Sequence, residues 1–297
     1  MITCNGILGL SLVVGSLRHR TQNFRVHASG SALAVMVALV TLSLVLPTFT
    51  TSTPGPTFSG TQLAFAGVVS LVMYGVFVFV QTVRHRDYFL PVEPSQAVVG
   101  TAGANESETA AGGEPKAAAS DEVGAAVEGD EGKDVEEEET PAAAPSGKVA
   151  LSSLGLLFLC LVAVVGLAKT VSPKLESAVE SAGAPLAVVG VIIALLVLLP
   201  ETVAAVRAAL RNRLQNSLNL ALGSALASIG LTIPAIAVAS IWLSGPLVLG
   251  LGGKELVLFA LIVVISMLTL ATGRATLLQG VVHLMVFCSF VFLAVSP

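Results

Sequence analysis

Unbroken apolar runs dominate this chain and limit its fold more than any other feature. A helix that crosses a bilayer needs about 20 mainly apolar residues. Eight segments reach or approach that length: 1–17, 31–47, 62–83, 149–168, 184–206, 214–243, 256–271 and 276–295. Lipid offers no water to backbone N–H and C=O groups, so segments of this kind must be helical. Their apolar residues are continuous rather than alternating, which excludes an outer-membrane β-barrel. Charged residues make up 11% of the chain, hydrophobic residues 54%, and the mean hydropathy is +0.88. A soluble domain carries about 25% charged residues, so this chain could not cover a water-facing surface. The fold class is all-α: a polytopic helical membrane protein of about eight spans, embedded in a lipid bilayer.

Fifteen of the nineteen acids fall between Asp87 and Glu139. This stretch separates an N-terminal membrane part, 1–91, from a C-terminal one, 149–297. The intervening 92–148, rich in Ala, Gly, Glu and Pro, has too little apolar surface to order itself and reads as a disordered acidic loop. The run Glu136-Glu137-Glu138-Glu139 is either solvated linker or a weak cation sensor. Summed over alternate loops, the basic residues number twelve on one side and three on the other. By the positive-inside rule the acidic loop is cytoplasmic and the C-terminus outside. Segment 1–17 lacks the basic start and cleavage site of a signal peptide and reads as the second half of a span.

No motif points to an enzyme. There is no Ser-His-Asp grouping, Walker loop, GxGxxG or HExxH, no cofactor site and no nucleic-acid signature. Cys4, Cys160 and Cys288 lie singly in apolar runs and read as small packing residues. Glu201 is the exception that carries chemistry. It is the only acid inside an apolar segment, and an acid in hydrocarbon costs about 2.5–3.5 kcal/mol on insertion scales. Pro200 precedes it and frees the Leu196 carbonyl. A carboxylate beside freed carbonyl oxygens is a candidate site at which a proton and a metal cation compete; the alternative is an acid that snorkels toward Arg207. In the next span Asn219, Gly223, Ser224, Ser228 and Thr232 form one small, polar stripe. It is either a packing face or a hydrophilic path toward Glu201. His283, in the last span, is a bonded interior imidazole or a candidate proton relay.

The segment from Pro200-Glu201 to Pro234, with Gly-Ser-Ala-Leu-Ala-Ser-Ile-Gly-Leu-Thr-Ile-Pro at 223–234, resembles the second α-repeat of the calcium/cation antiporter superfamily. It is most similar to the bacterial calcium/proton and sodium-potassium/proton antiporters of the ChaA type. Residues 80–89, 44–47 with 54–57, and 273–284 are similar as well. The resemblance implies a secondary antiporter of the bacterial inner membrane that exchanges calcium, sodium or potassium for protons. It implies two inverted repeats, the second at about 184–243, sharing a midplane site. Residues 1–6 resemble the tail of the first repeat, whose acid-bearing helix would precede residue 1, and Asn5 takes the position pseudo-equivalent to Ser228. Leu198-Leu199-Pro200 stands where some calcium-selective relatives show Gly-Asn. The other reading is a non-transporting membrane subunit that acts through its acidic loop.

Overall fold

The computed structural model describes residues 1–84, 146–242, 245 and 247–296. The acidic loop expected over 92–148 lies almost wholly outside the described residues. A π-helical turn, Ile2–Ile7, leads into α1 (Leu8–His19). Strand β1 (Gln22–Asn23) and α2 (Val26–Val40) follow, then a second π-helical turn and the short α3 (Leu46–Phe49). Next come α4 (Gly60–Phe79), which ends in a π-helical turn at Val80–Arg84, and α5 (Gly147–Ser181). The rest is α6 (Ala187–Val197), α7 (Leu199–Leu210), α8 (Leu214–Ala239), α9 (Gly253–Ala271), β2 (Arg274–Ala275) and α10 (Leu277–Val295).

The chain divides into two units. The described part of one is α5 up to Lys174. The other holds Met1–Val99 and Leu175–Pro297, and therefore every other element. The loop expected to hold Lys169 and Lys174 is helix instead: α5 continues through Pro173 for 35 residues. Strong helix formers follow the proline, and the stop comes only at Gly183, whose φ of +69° suits a residue without Cβ. Six described helices are long and apolar enough to cross a membrane, or seven counting α6 and α7 as one bent span. The eighth expected segment is helical over 2–19, but Asn5, Arg18 and His19 reduce its apolar character and it stands outside that count.

The larger unit is apolar outside and buries polar side chains within an apolar core. Asn5, Gln22, Ser43, Ser70, Gln215, Ser266, Thr269 and His283 are buried, whereas Phe65, Val72, Leu268 and Leu278 are exposed. Exposed apolar side chains of this kind suit acyl chains; Asn5, Gln22, Gln215, Thr269 and His283 find partners within the bundle, whereas Ser266 Oγ has none. The protein is an integral membrane protein.

Two antiparallel helix pairs build the bundle, and glycine brings both together. In α4 and α8, Gly67 faces Pro234 and Ala237 while Gly230 faces Tyr74. In α1 and α10, Gly9 faces His283 and Leu284 while Gly280 faces Leu12 and Val13. The pairs are matched in further details. Both α4 and α10 start with a capping box, Ser59 with Gln62 and Thr276 with Gln279, which satisfies orphan donors of the first turn. At one end β1 pairs antiparallel with β2; at the other, Thr57 forms an antiparallel bridge to Val248. The strand-paired end gathers Arg18, Arg20, Arg25, Arg207, Arg211, Arg213 and Arg274 from neighbouring segments.

Candidate functional site

The span expected at 184–206 is broken. α6 and α7 meet at Leu198 with a bend of 51°. Pro200, the second residue of α7, has no N–H to return to the Leu196 carbonyl, so the ladder opens where the sequence indicated. Helix resumes because Thr202 N–H reaches the Leu198 carbonyl at 2.9 Å, and the Thr202 hydroxyl donates to the same oxygen at 2.7 Å. Glu201 thus occupies the first turn of α7, where the helix dipole favours an anion. Its Oε2 is buried and has no hydrogen-bond donor. A buried acceptor left bare costs about 1–3 kcal/mol, and more if charged. Among the described acids, Glu201 is the one with a buried oxygen that has no hydrogen-bond partner.

Alanines set the neighbourhood of Glu201. Ala205, one turn further along α7, packs in one cluster with Ala221 of α8 and Ile7 of the N-terminal π-helical turn, with Leu198 and Leu220 against them. A short connection, 211–213, joins α7 to α8, so the two run antiparallel. Glu201, one turn before Ala205, is therefore level with Ala225, one turn after Ala221. Ser224, half-buried, lies in that layer, and Ser228, exposed, is one turn further along α8. Asn219 is six residues earlier, about 9 Å along the axis. Its Oδ1 accepts from Gln215 Nε2 at 2.9 Å, and Gln215 Oε1 accepts the Arg25 N–H at 2.7 Å. Asn219 thus belongs to a chain that ends on the backbone before α2.

Asn5 and His283 come together elsewhere. His283 is fully buried; Nδ1 lies 3.0 Å from Asn5 Oδ1 and Nε2 3.1 Å from Thr269 Oγ1. Asn5 Nδ2 donates to the Met1 carbonyl at 3.3 Å. A neutral imidazole satisfies both contacts, donating to Asn5 and accepting from Thr269. The three side chains tie the π-helical turn to α9 and α10. His283→Leu would leave both partners bare, with an expected loss of about 2 kcal/mol, read as a lower thermal midpoint in detergent. Of the cysteines, only Cys4 is buried, its Sγ donating to Met36 Sδ at 3.2 Å; Cys160 and Cys288 are exposed rather than packed.

Among the described residues no three His, Cys, Asp or Glu side chains form a metal-binding group. A cation at Glu201 would draw its remaining oxygens from hydroxyls, carbonyls or water. Sequence reasoning missed a second polar group at the arginine-rich end: His19, Gln22, Asn212 and Gln215. In sequence these are ordinary polar residues beside arginines, and no spacing distinguishes them.

A helical bundle with a broken span, an acid with a bare buried oxygen at the break and polar side chains within its core has the features of a membrane ion transporter. Residues 1–83 and 152–296 match the sodium/calcium exchanger protein family, and the chain belongs to it. It is 45% identical over 297 residues to "Putative ionic transporter y4hA" of Sinorhizobium fredii (strain NBRC 101917 / NGR234), covering 100% of this chain and 70% of that one. It is 27% identical over 290 residues to the sodium-potassium/proton antiporter ChaA of Escherichia coli (strain K12), covering 98% and 68%. The fold is similar to that of native YfkE, with a TM-score of 0.65 at 16% identity, over 100% of this chain and 72% of that one. The chain is thus a membrane-embedded cation transporter.

Proposed function

We propose that the protein is a secondary antiporter that exchanges cytoplasmic cations for protons across a bacterial inner membrane. Glu201 binds proton and cation in turn. The observation that carries this reading is the bare, buried Oε2 of Glu201 beside the break in its span. A buried oxygen without a donor is a ready acceptor for either a proton or a cation. Alternating between them, with access from one side at a time, couples the two gradients. Ser224, level with Glu201, and Ser228, one turn further along α8, supply hydroxyl oxygens. Asn5 and Asn219 stand further off, engaged with His283 and Gln215, and serve the shape of the path.

The matched pairs α1/α10 and α4/α8 support an inverted repeat, because exchanging α1 with α8 and α10 with α4 maps one pair, one capping box and one strand contact onto the other. The arginine-rich end faces the cytoplasm under the positive-inside rule, and the C-terminus faces outward. The name of ChaA points to sodium and potassium as cargo. In everted vesicles that contain the protein and hold a proton gradient, potassium, sodium or calcium chloride should dissipate the gradient. A cation current that ignores the pH gradient, or no response to any of the three salts, overturns the proposal.

A further inference from the structure

α7 is a short helix that packs against α1 and α8 through small side chains. At its start lies the bend at Leu198. At its end Asn212 turns the chain back with a left-handed φ of +58°. Its buried face is alanine, with Ala205 and Ala209 fully buried. Alanine allows close approach but interlocks weakly, because its side chain offers one methyl group to a groove. The last carbonyls of α7 lack partners within the helix. The turn that follows supplies N–H groups from Arg211, Asn212 and Arg213 to the Arg207, Ala208 and Ala209 carbonyls, and the segment between α1 and α2 supplies side-chain donors to the Ala209 and Leu210 carbonyls. Gln22 Nε2 donates to the Ala209 carbonyl at 2.7 Å and to Asn212 Oδ1 at 3.2 Å. His19 Nε2 lies 2.7 Å from the Leu210 carbonyl and donates to it.

Gln22 itself is held from several sides. It is 1% exposed. Its backbone is in β1, paired with Ala275 of β2. Its Oε1 occupies the hollow that Gly15 leaves in α1, where a Cβ would overlap it. Both donor hydrogens of Nε2 face acceptors, so the amide orientation is settled by its partners. A side chain this constrained is an anchor, and what it anchors is the helix that presents Glu201.

We infer that Gln22 and His19 are positioning residues for transport: they clasp the C-terminal carbonyls of α7 and so fix the Glu201 carboxylate against α8. This inference rests on the Glu201 reading above. With the clasp released, α7 is free to turn about its own axis, and the Glu201 oxygens turn with it, away from the level of Ser224. Small misplacements of a ligating group weaken binding sharply, whereas the carboxylate itself remains to carry the ion. The clasp therefore acts on the apparent KM for the cation more than on the maximal rate.

The test uses the full chain in proteoliposomes, with potassium, sodium and calcium chlorides as the probes. Four variants are compared with the wild type: Gln22→Met, which keeps the volume and removes the donors, His19→Leu, His19→Gln and Glu201→Gln. Losing one such hydrogen bond corresponds to a rise in KM of about fivefold. The expected result is that rise in Gln22→Met and in His19→Leu, with near wild-type KM in His19→Gln, which keeps a donor. Hydrogen exchange should quicken at the amides of 203–210 and not in α4. His19 is only partly buried, so the His19 pair carries the test if Gln22→Met does not accumulate. Wild-type KM in Gln22→Met and His19→Leu, or a lower rate at unchanged KM, overturns the clasp while loss of transport in Glu201→Gln upholds the site. Full transport in Glu201→Gln instead overturns the site reading, and the role of the clasp with it.

Discussion

Glu201→Gln is expected to abolish proton-coupled cation transport while leaving a folded protein. Glutamine keeps the shape and length of the side chain, so the Leu198 bend and the Ala205–Ala221 packing have no cause to change. What disappears is the group that can take up either a proton or a cation. Removing one partner of a charge pair in a poorly solvated site costs about 3–5 kcal/mol. At about 1.4 kcal/mol per tenfold, transport falls by two orders of magnitude or more. Stability should hold or rise, because a neutral amide costs less to bury than a carboxylate without a donor. The measurements are gradient dissipation in vesicles at matched protein load and a thermal midpoint in detergent. Retained transport with an unchanged midpoint would remove Glu201 from the mechanism.

The largest structural effect is expected from Gly280→Val. A Cβ at Gly280 would lie 2.7 Å from the Val13 backbone nitrogen, 2.8 Å from Val13 Cγ2 and 2.9 Å from Leu12 Cβ. The first of these is main chain and cannot turn aside as a side-chain tip does. α1 and α10 must then part, and the seam they share also holds the Asn5–His283 contact at 3.0 Å. Overpacking of this kind costs about 3 kcal/mol. The thermal midpoint should fall well below that of Gly75→Ala, whose added Cβ meets nothing within 4 Å. Equal midpoints for the two variants would mean that α1 and α10 are not in close contact in the folded protein.

Much of the architecture is legible in the sequence because lipid imposes a simple code. Segments such as 62–83, 256–271 and 276–295 have to be helical, since no other conformation satisfies their backbone away from water. The α4, α9 and α10 helices lie where those runs lie. Glu201 is legible for the same reason: an acid in an apolar run stands out against its surroundings, and Pro200 marks the break beside it. The extent of α5 was not legible, because Pro173 and two lysines look like a loop while the residues after them favour helix. The placement of Asn5 was legible only in part. Its polarity in an apolar run indicates an interior position, but its partner His283 is 278 residues away in sequence.

The sequence by itself determined that this chain spans a membrane, roughly where most of its spans run and which acid lies inside an apolar run, because burial in lipid constrains each segment independently. Only the tertiary structure decided which helices touch. Glycines at 9, 67, 230 and 280 allow close approach, but nothing local says that α1 meets α10 or that α4 meets α8. The clasp on α7 belongs to the same class. Gln22 and Ala209 are far apart in the chain, and a glutamine in a polar turn gains its meaning only when folding brings a helix end with open carbonyls against it.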